Sequence, residues 1–348
     1  MTERRSGGNR PEGTSAASSP VLMTTLPDDE ILEEGQTDSA SARPTVVVRE
    51  TDSGTKPRSL WGDAWDIMRH RVLFWVAAAL IVFFLVMAVA PQLFTSIKPL
   101  APGSCLLSHA RQAPSSEAIF GYDLQGCDIY ARTVYGARSS ILVGLLTASV
   151  TAIIGAALGT VAAYMGGWVD TLLSRIADIF FAIPLLLGGI IIMYSIPTNP
   201  NSPYVLIIFK VVFALSVLGW PNIFRLMRSS VLQVKPNEYV QAARALGASP
   251  FHVVGSHIVP NALAPVIVVT TIDLGSYIAT EATLSFLGIG LQAPAISWGI
   301  AISQASALGY IRQAPHMLLF PALFLCLTVL AFIMLGEVVR DALDPKLR

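Results

Sequence analysis

The chain has 348 residues, of which 53% are hydrophobic and 13% charged, against about 25% charged in an average soluble domain. Mean hydropathy is +0.60, basic and acidic residues balance at 23 each, and there are three cysteines. These values exclude a soluble enzyme of this size, a wholly disordered chain and a disulfide-stapled scaffold, and the zero net charge makes no case for nucleic acid. What remains is an all-α membrane protein with several spans.

Residues 1–58 hold 17 of the 46 charged residues and are rich in Gly, Ser, Thr, Pro and acidic side chains. Such a segment buries too little apolar surface to offset the entropy of ordering, so it reads as a disordered tail. It has no apolar core near Met1 of the kind a signal peptide needs.

A spanning helix needs about 20 mostly apolar residues. Six candidates follow: 72–94, 140–164, 176–195, 204–224, 262–284 and 315–336. Pro184 inside the third should kink it. In the second, Gly155 and Gly159 form a small face that suits close packing against a neighbouring helix of the same chain. Pro197, Asn199, Pro200, Asn201 and Pro203 mark a turn between the third and fourth. The expected division is a tail at 1–58, a first spanning region at 59–95, a long loop at 96–137, a core at 138–340 and a short C-terminus at 341–348.

Arg58, Arg69 and Arg71 precede the first span. Arg225, Arg228, Lys235 and Arg244 lie around the loop after the fourth, and Arg340, Lys346 and Arg348 close the chain. The positive-inside rule therefore places both termini and that loop in the cytoplasm of a multi-pass cell-membrane protein. The loop at 96–137 lands outside, on the oxidising face, where Cys105 and Cys127 are expected to bond. Such a bond closes a loop of about twenty residues and contributes roughly 3 kcal/mol by chain entropy. The alternative is two free thiols.

Residues 235–260 read KPNEYVQAARALGASPFHVVGSHIVP. Asn237 is placed to cap a helix that begins at Glu238. Gly247 stands where a left-handed C-cap residue belongs. Ser249 and Pro250 open a second short helix, which Pro260 is expected to end. The result is a cytoplasmic helix-turn-helix. Leu246 and Phe251 suit pockets on a partner protein. A solvated loop lying back on the bilayer is the alternative.

Two acids fall in the fifth span. Asp273 and Glu281 are costly at membrane depth and usually face a bundle interior or a water-filled cavity. Eight residues apart, they are expected to share a helix face. They either line a translocation path or subunit interface, or make structural hydrogen bonds to a neighbouring helix. Arg175 and Asp178 suit a local ion pair. His252 and His257 do not meet the zinc-protease pattern H-E-x-x-H, and no metal site is expected. No G-x-x-x-x-G-K-[ST] string occurs, so any use of ATP requires a separate chain.

The stretch EYVQAARALGAS, with Pro260 thirteen residues after Gly247, resembles the EAA loop of ABC importer permeases. GYDLQGCDIYARTVYGARSSILVGLL, ADIFFAIPLLL, EATLSFLGIGLQAPAISWG and the ending RDALDPKLR resemble, in order, the second permease of dipeptide and oligopeptide importers. The likeness covers about residues 60–348. It implies a five-helix type I importer core preceded by one extra helix. It implies that the loop is a coupling helix seated in a groove of an ATPase subunit. Gln241, Ala242 and Ala243 then fill the EAA positions, Gly247 is the motif glycine and Pro260 closes it. Gln241 replaces the usual Glu, and Cys127 stands where the family has arginine.

The resemblance also implies partners: a homologous permease, one or two cytoplasmic ATPases that bind ATP and Mg, and an extracytoplasmic solute-binding protein. The chain itself would be a transport subunit in membrane lipid, with no enzymatic activity and no cofactor. The implied cargo is a dipeptide or oligopeptide, with nickel and glutathione as alternatives. A competing reading is a secondary carrier driven by an ion gradient through Asp273 and Glu281.

Overall fold

The computed structural model describes residues 60–199 and 201–343. The expected tail at 1–58, Pro200 and the basic residues at 346 and 348 lie outside them. Among the described residues the only regular structure is helical, apart from isolated bridges between Cys105 and Cys127 and between Tyr122 and Asp128. In chain order the helices are α1 (Leu60–Arg69), α2 (Val72–Val89), α3 (Ile129–Met165), α4 (Gly167–Phe181), α5 (Leu185–Ser195), α6 (Tyr204–Val234) and α7 (Glu238–Ala245). They continue with α8 (Pro250–His252), a π-helical turn (Val253–Ile258), α9 (Val259–Phe286), α10 (Trp298–Ala305), α11 (Leu308–Gln313) and α12 (His316–Leu343).

Among the described residues five helical stretches are long and apolar enough to cross a membrane: α2, α3, α6, the continuous stretch Pro250–Phe286, and α12. The third expected span differs. It is broken into α4 and α5, which meet at 86°. Pro184 is the residue before α5 and has φ −56° and ψ 125°, outside the helical region. Proline removes a ladder donor and its ring clashes with the carbonyl one turn back, which ends α4 rather than merely kinking it. At 1.5 Å per residue α4 is about 22 Å long and α5 about 16 Å. Neither leg alone covers a hydrocarbon core of roughly 30 Å.

Other boundaries move for local reasons. α2 ends at Val89, not at residue 94, because Pro91 opens a 3-10 turn over Pro91–Leu93. α3 begins eleven residues before the expected start. Asp128 caps it by accepting from Ala131 N–H at 2.8 Å, so the polar first turns are helical although they lack the apolar signature of a span. Burial raises the pKa of the Asp128 carboxyl, against the opposing pull of the Ala131 and Tyr130 N–H groups.

Three contacts set the direction of the helices. The Ser139 hydroxyl and the Tyr204 hydroxyl lie 3.1 Å apart. Lys235 donates to the carbonyls of Ala163 and Tyr164, at 3.0 and 2.9 Å. α3 and α6 therefore run parallel, and α4 with α5 carries the chain back between them. Arg71 donates to Asp341 at 2.5 Å, so α2 begins at the end of the bundle where α12 finishes. An even number of traverses separates those points, which is satisfied when the bent α4–α5 pair counts as one.

The centre is a packed layer of α3 against α6 and α9, with α12 along α9 and α2 against α12 and α3. Gly155 and Gly159 make the α3–α6 approach possible. A Cβ on Gly155 would stand 2.7 Å from Ile223 Cβ, and one on Gly159 would stand 2.7 Å from the Phe224 carbonyl oxygen. The small face thus packs within the chain. Trp298 on α10 is fully buried, donates to Thr133 O at 2.8 Å and stacks edge-on against Phe84 of α2.

Candidate functional site: an exposed helical loop and two cavities

The loop after α6 is built by local rules and anchored by one side chain. Glu238 starts α7 as expected. The Asn237 backbone sits at the N-cap, but its side chain does not cap and instead approaches Tyr239 Oη at 3.4 Å. The Gln241 amide turns back to the Lys235 carbonyl, at 3.0 Å. Gly247 has φ +84°. Its N–H donates to Arg244 O at 3.0 Å and the Ala248 N–H to Ala243 O at 3.1 Å, the paired bonds of a Schellman C-cap. Ser249 then caps α8, accepting from the His252 N–H at 3.3 Å, with Pro250 in the first turn.

Pro260 does not end the second helix, contrary to expectation. The chain stays helical from α8 through the π-turn into α9. A π-turn shifts the hydrogen-bond ladder by one residue. That shift lies immediately before Pro260, so its missing N–H and its ring fall where the ladder is already displaced. The loop is therefore rigidly continuous with a long membrane helix.

Val240 is fully buried and joins a core with Met227, Val231, Val253, Ile258 and Val266. It pins α7 to the ends of α6 and α9. The opposite side is open: Gln241 and Ala242 are exposed and Ala243 is half-buried. Leu246 is 89% exposed and Phe251 92%. Two large apolar side chains so placed gain nothing from this chain's own fold.

Polar contacts brace the same end of the bundle. Arg228 grips Asp170. Arg225 donates to Asp178 at 2.8 Å and covers the Phe181 ring at 3.9 Å. The anticipated Arg175–Asp178 pair is present but longer, at 3.8 Å. Lys235 closes the last carbonyls of α3, as a cation suits a helix C-terminus. In the sequence Arg225, Arg228 and Lys235 serve only to orient the chain. Their partners are 47–72 positions away, beyond any periodicity signal.

Asp273 and Glu281 are separated by the fold. Eight residues turn a helix by about 80° beyond whole turns, enough to aim the two in different directions. Glu281 is fully buried, accepts from Ser285 Oγ at 2.7 Å and is ringed by the Ser140 and Ser297 hydroxyls, although Oε2 makes no hydrogen bond of normal geometry. It is enclosed by α3, α9 and α10 of its own chain. Asp273 instead borders a cavity of about 310 Å³ at the α4–α5 break, with Pro184, Asn222 and Tyr277. It accepts from the Asn222 amide, at 3.4 Å. The two acids therefore do not line one path together.

In the loop before α3, Cys105 and Cys127 are bonded, with Cα atoms 4.1 Å apart. Asp123, two-pronged in its contacts, accepts from the N–H groups of Gln125 and Cys127 and pairs with Arg132. A second and larger cavity, of about 500 Å³, lies at the end of the bundle remote from α7, beside Thr198, Lys210 and Gln292.

This chain resembles known proteins over most of its length. Residues 152–348 match the family model described as binding-protein-dependent transport system inner membrane component. The oligopeptide transport system permease protein OppC of Bacillus subtilis (strain 168) is 39% identical over 84% of this chain and 92% of its own. The dipeptide transport system permease protein DppC of Alkalihalophilus pseudofirmus is 38% identical over 83% of this chain and 91% of its own. The glutathione transport system permease protein GsiD of Escherichia coli O157:H7 is 34% identical over 84% and 92%. A chain of the MetNI methionine ABC transporter, in inward-facing conformations, aligns with 61% of this chain and 96% of its own, at 21% identity and a TM-score of 0.48. By the family match and by these relatives, the chain belongs to the inner membrane components of binding-protein-dependent transport systems.

Proposed function

We propose that the chain is the second permease subunit of an ATP-driven importer of short peptides, working beside a homologous permease. The observation that carries the reading is the loop after α6: a capped helix pair, rooted by Val240 and presenting exposed Leu246 and Phe251. Peptide as cargo is supported by the relatives at 38–39% identity, which are named as oligopeptide and dipeptide permeases. The glutathione permeases, at 34%, make a modified tripeptide the second reading.

In this scheme the termini and the loop face the cytoplasm, α4 with α5 forms one broken span, and six spans cross the membrane. A solute-binding protein delivers peptide to the outer face. Separate ATPase subunits bind ATP and Mg and seat Leu246 and Phe251 in a groove. ATP shifts the two-state equilibrium of the permease pair, and the loop transmits that bias because its second helix runs unbroken into α9. The chemistry of ATP stays on the partners, and this chain contributes the path.

The test is affinity purification from native membranes with mass spectrometry, followed by uptake of labelled di- and tripeptides by the recovered complex in proteoliposomes. Co-purified permease and ATPase chains, with ATP-dependent uptake, are expected. A chain that purifies alone and moves solute under an ion gradient would overturn the reading.

A further inference from the structure

Lys210 lies within two turns of the start of α6 and is only 5% exposed. Among the described residues its ammonium approaches one group, the Thr198 hydroxyl, at 3.4 Å. That hydroxyl in turn donates to Gln292 Oε1, at 3.3 Å. A lysine carries three donors, and among the described residues no carboxylate pairs with this one. Asp273 is not a candidate: its partner Asn222 lies twelve residues along the same helix, about 18 Å away. An unpaired cation that the fold covers this far is costly, and the only opening left to its ammonium among the described residues is the cavity beside it.

Lys210 borders the cavity of about 500 Å³, together with Tyr194, Thr198, Gly288 and Gln292. The cavity sits at the end of the bundle opposite α7, since α6 runs 24 residues, about 36 Å, from Lys210 to Val234. The walls thus offer a cation, a hydroxyl and an amide around a space of small-ligand size. The chemical complement of such a wall is an anion. A peptide has one at its C-terminus, where two carboxylate oxygens can accept from an ammonium in a charge-assisted bond.

We infer that Lys210 is the counter-ion for the C-terminal carboxylate of the cargo as it enters the permease, with Thr198 and Gln292 positioning it. This rests on the peptide-import reading and adds a substrate determinant to it.

The experiment uses the full complex, with its binding protein, in proteoliposomes. Uptake of a tripeptide is compared with uptake of the same tripeptide as its C-terminal amide. Lys210→Met is expected to lower free-acid uptake at least ten-fold and to leave amide uptake unchanged, while Lys210→Arg keeps most of the free-acid rate. Equal loss for both peptides would assign Lys210 a packing role and overturn the inference, as would no loss for either.

A second measurement uses the unsubstituted complex without the binding protein. Labelling of Lys210 by an amine-reactive reagent is followed by mass spectrometry. Free-acid tripeptide is expected to slow it and the amide is not; equal slowing, or none, overturns the inference. Absence of any peptide uptake by the unsubstituted complex would instead dispose of peptide import, with the labelling result still deciding for Lys210.

Discussion

Arg228 holds both carboxylate oxygens of Asp170, through Nε at 2.5 Å and Nη2 at 2.6 Å. The pair ties the first turn of α4 to α6, 58 positions away in sequence. It fixes the start of the leg that leads to the Pro184 break. A bidentate arginine contact is directional as well as attractive, which suits a joint between two helices that must keep one angle.

That joint is partly open to solvent, so its energy is modest. Arg228→Met or Asp170→Asn is expected to cost roughly 1 kcal/mol once screening is allowed for. In a chain of this size that lowers the thermal midpoint by about one to two degrees. Fluorescence-monitored unfolding in detergent checks it. Midpoints unchanged in both variants would show that the contact contributes nothing to holding α4.

Gly247 sits at φ +84° with no atom within 4 Å of where a Cβ would stand. A side chain there meets strain rather than a clash. Gly247→Val should abolish ATP-dependent uptake while the protein remains in the membrane. Gly247→Asn should retain most activity, because asparagine tolerates the left-handed region. Wild-type uptake by Gly247→Val would dissociate the cap from coupling.

Leu246 and Phe251 are exposed, so their loss should not unfold the permease. Phe251→Ser is expected to weaken capture of the ATPase by about 2 kcal/mol, roughly thirty-fold in affinity, as for a central anchor residue. Leu246→Ser should act in the same direction. The readout is ATPase recovered with tagged permease at graded salt and detergent. Full recovery with both variants would place the docking contacts elsewhere.

Gly155→Leu and Gly159→Leu should behave oppositely to the loop variants. Each drives a side chain into α6, where contacts of 2.7 Å leave no room for even a Cβ. Losses of roughly 1–3 kcal/mol are expected from overpacking, seen as lower thermal midpoints and reduced membrane abundance. A variant with native stability would mean that α3 and α6 can separate freely.

Cys105→Ser should free Cys127 for alkylation and loosen the loop between them. The chain-entropy estimate for a loop of about twenty residues is roughly 3 kcal/mol. Faster amide exchange confined to residues 105–127 is the expected signature. Alkylation of both cysteines in the unreduced, unsubstituted protein would show that the bond does not form.

What could be read from the sequence was what short stretches decide for themselves. Apolar length marked α2, α3, α6, α9 and α12. The cap residues Gly247, Ser249 and Pro250 marked the turn between α7 and α8, because capping is satisfied by neighbours within about five positions. The Cys105–Cys127 pairing was legible because only two cysteines fall in that loop.

Tertiary structure decided the rest. Pro184 announced a disturbance, but the 86° turn depends on where α5 finds α6 and on the Arg228–Asp170 joint. Pro260 reads as a terminator until the π-turn before it absorbs the missing donor. Asp273 and Glu281 look equivalent along the chain, yet one borders a cavity and the other is sealed by Ser140, Ser285 and Ser297. Lys210 is one lysine in an apolar run until α6 is packed beside residues 198 and 292. The physical reason is common to Pro184, the two acids and Lys210: local conformation depends on backbone sterics and nearby donors, whereas burial and pairing depend on which distant helix arrives alongside.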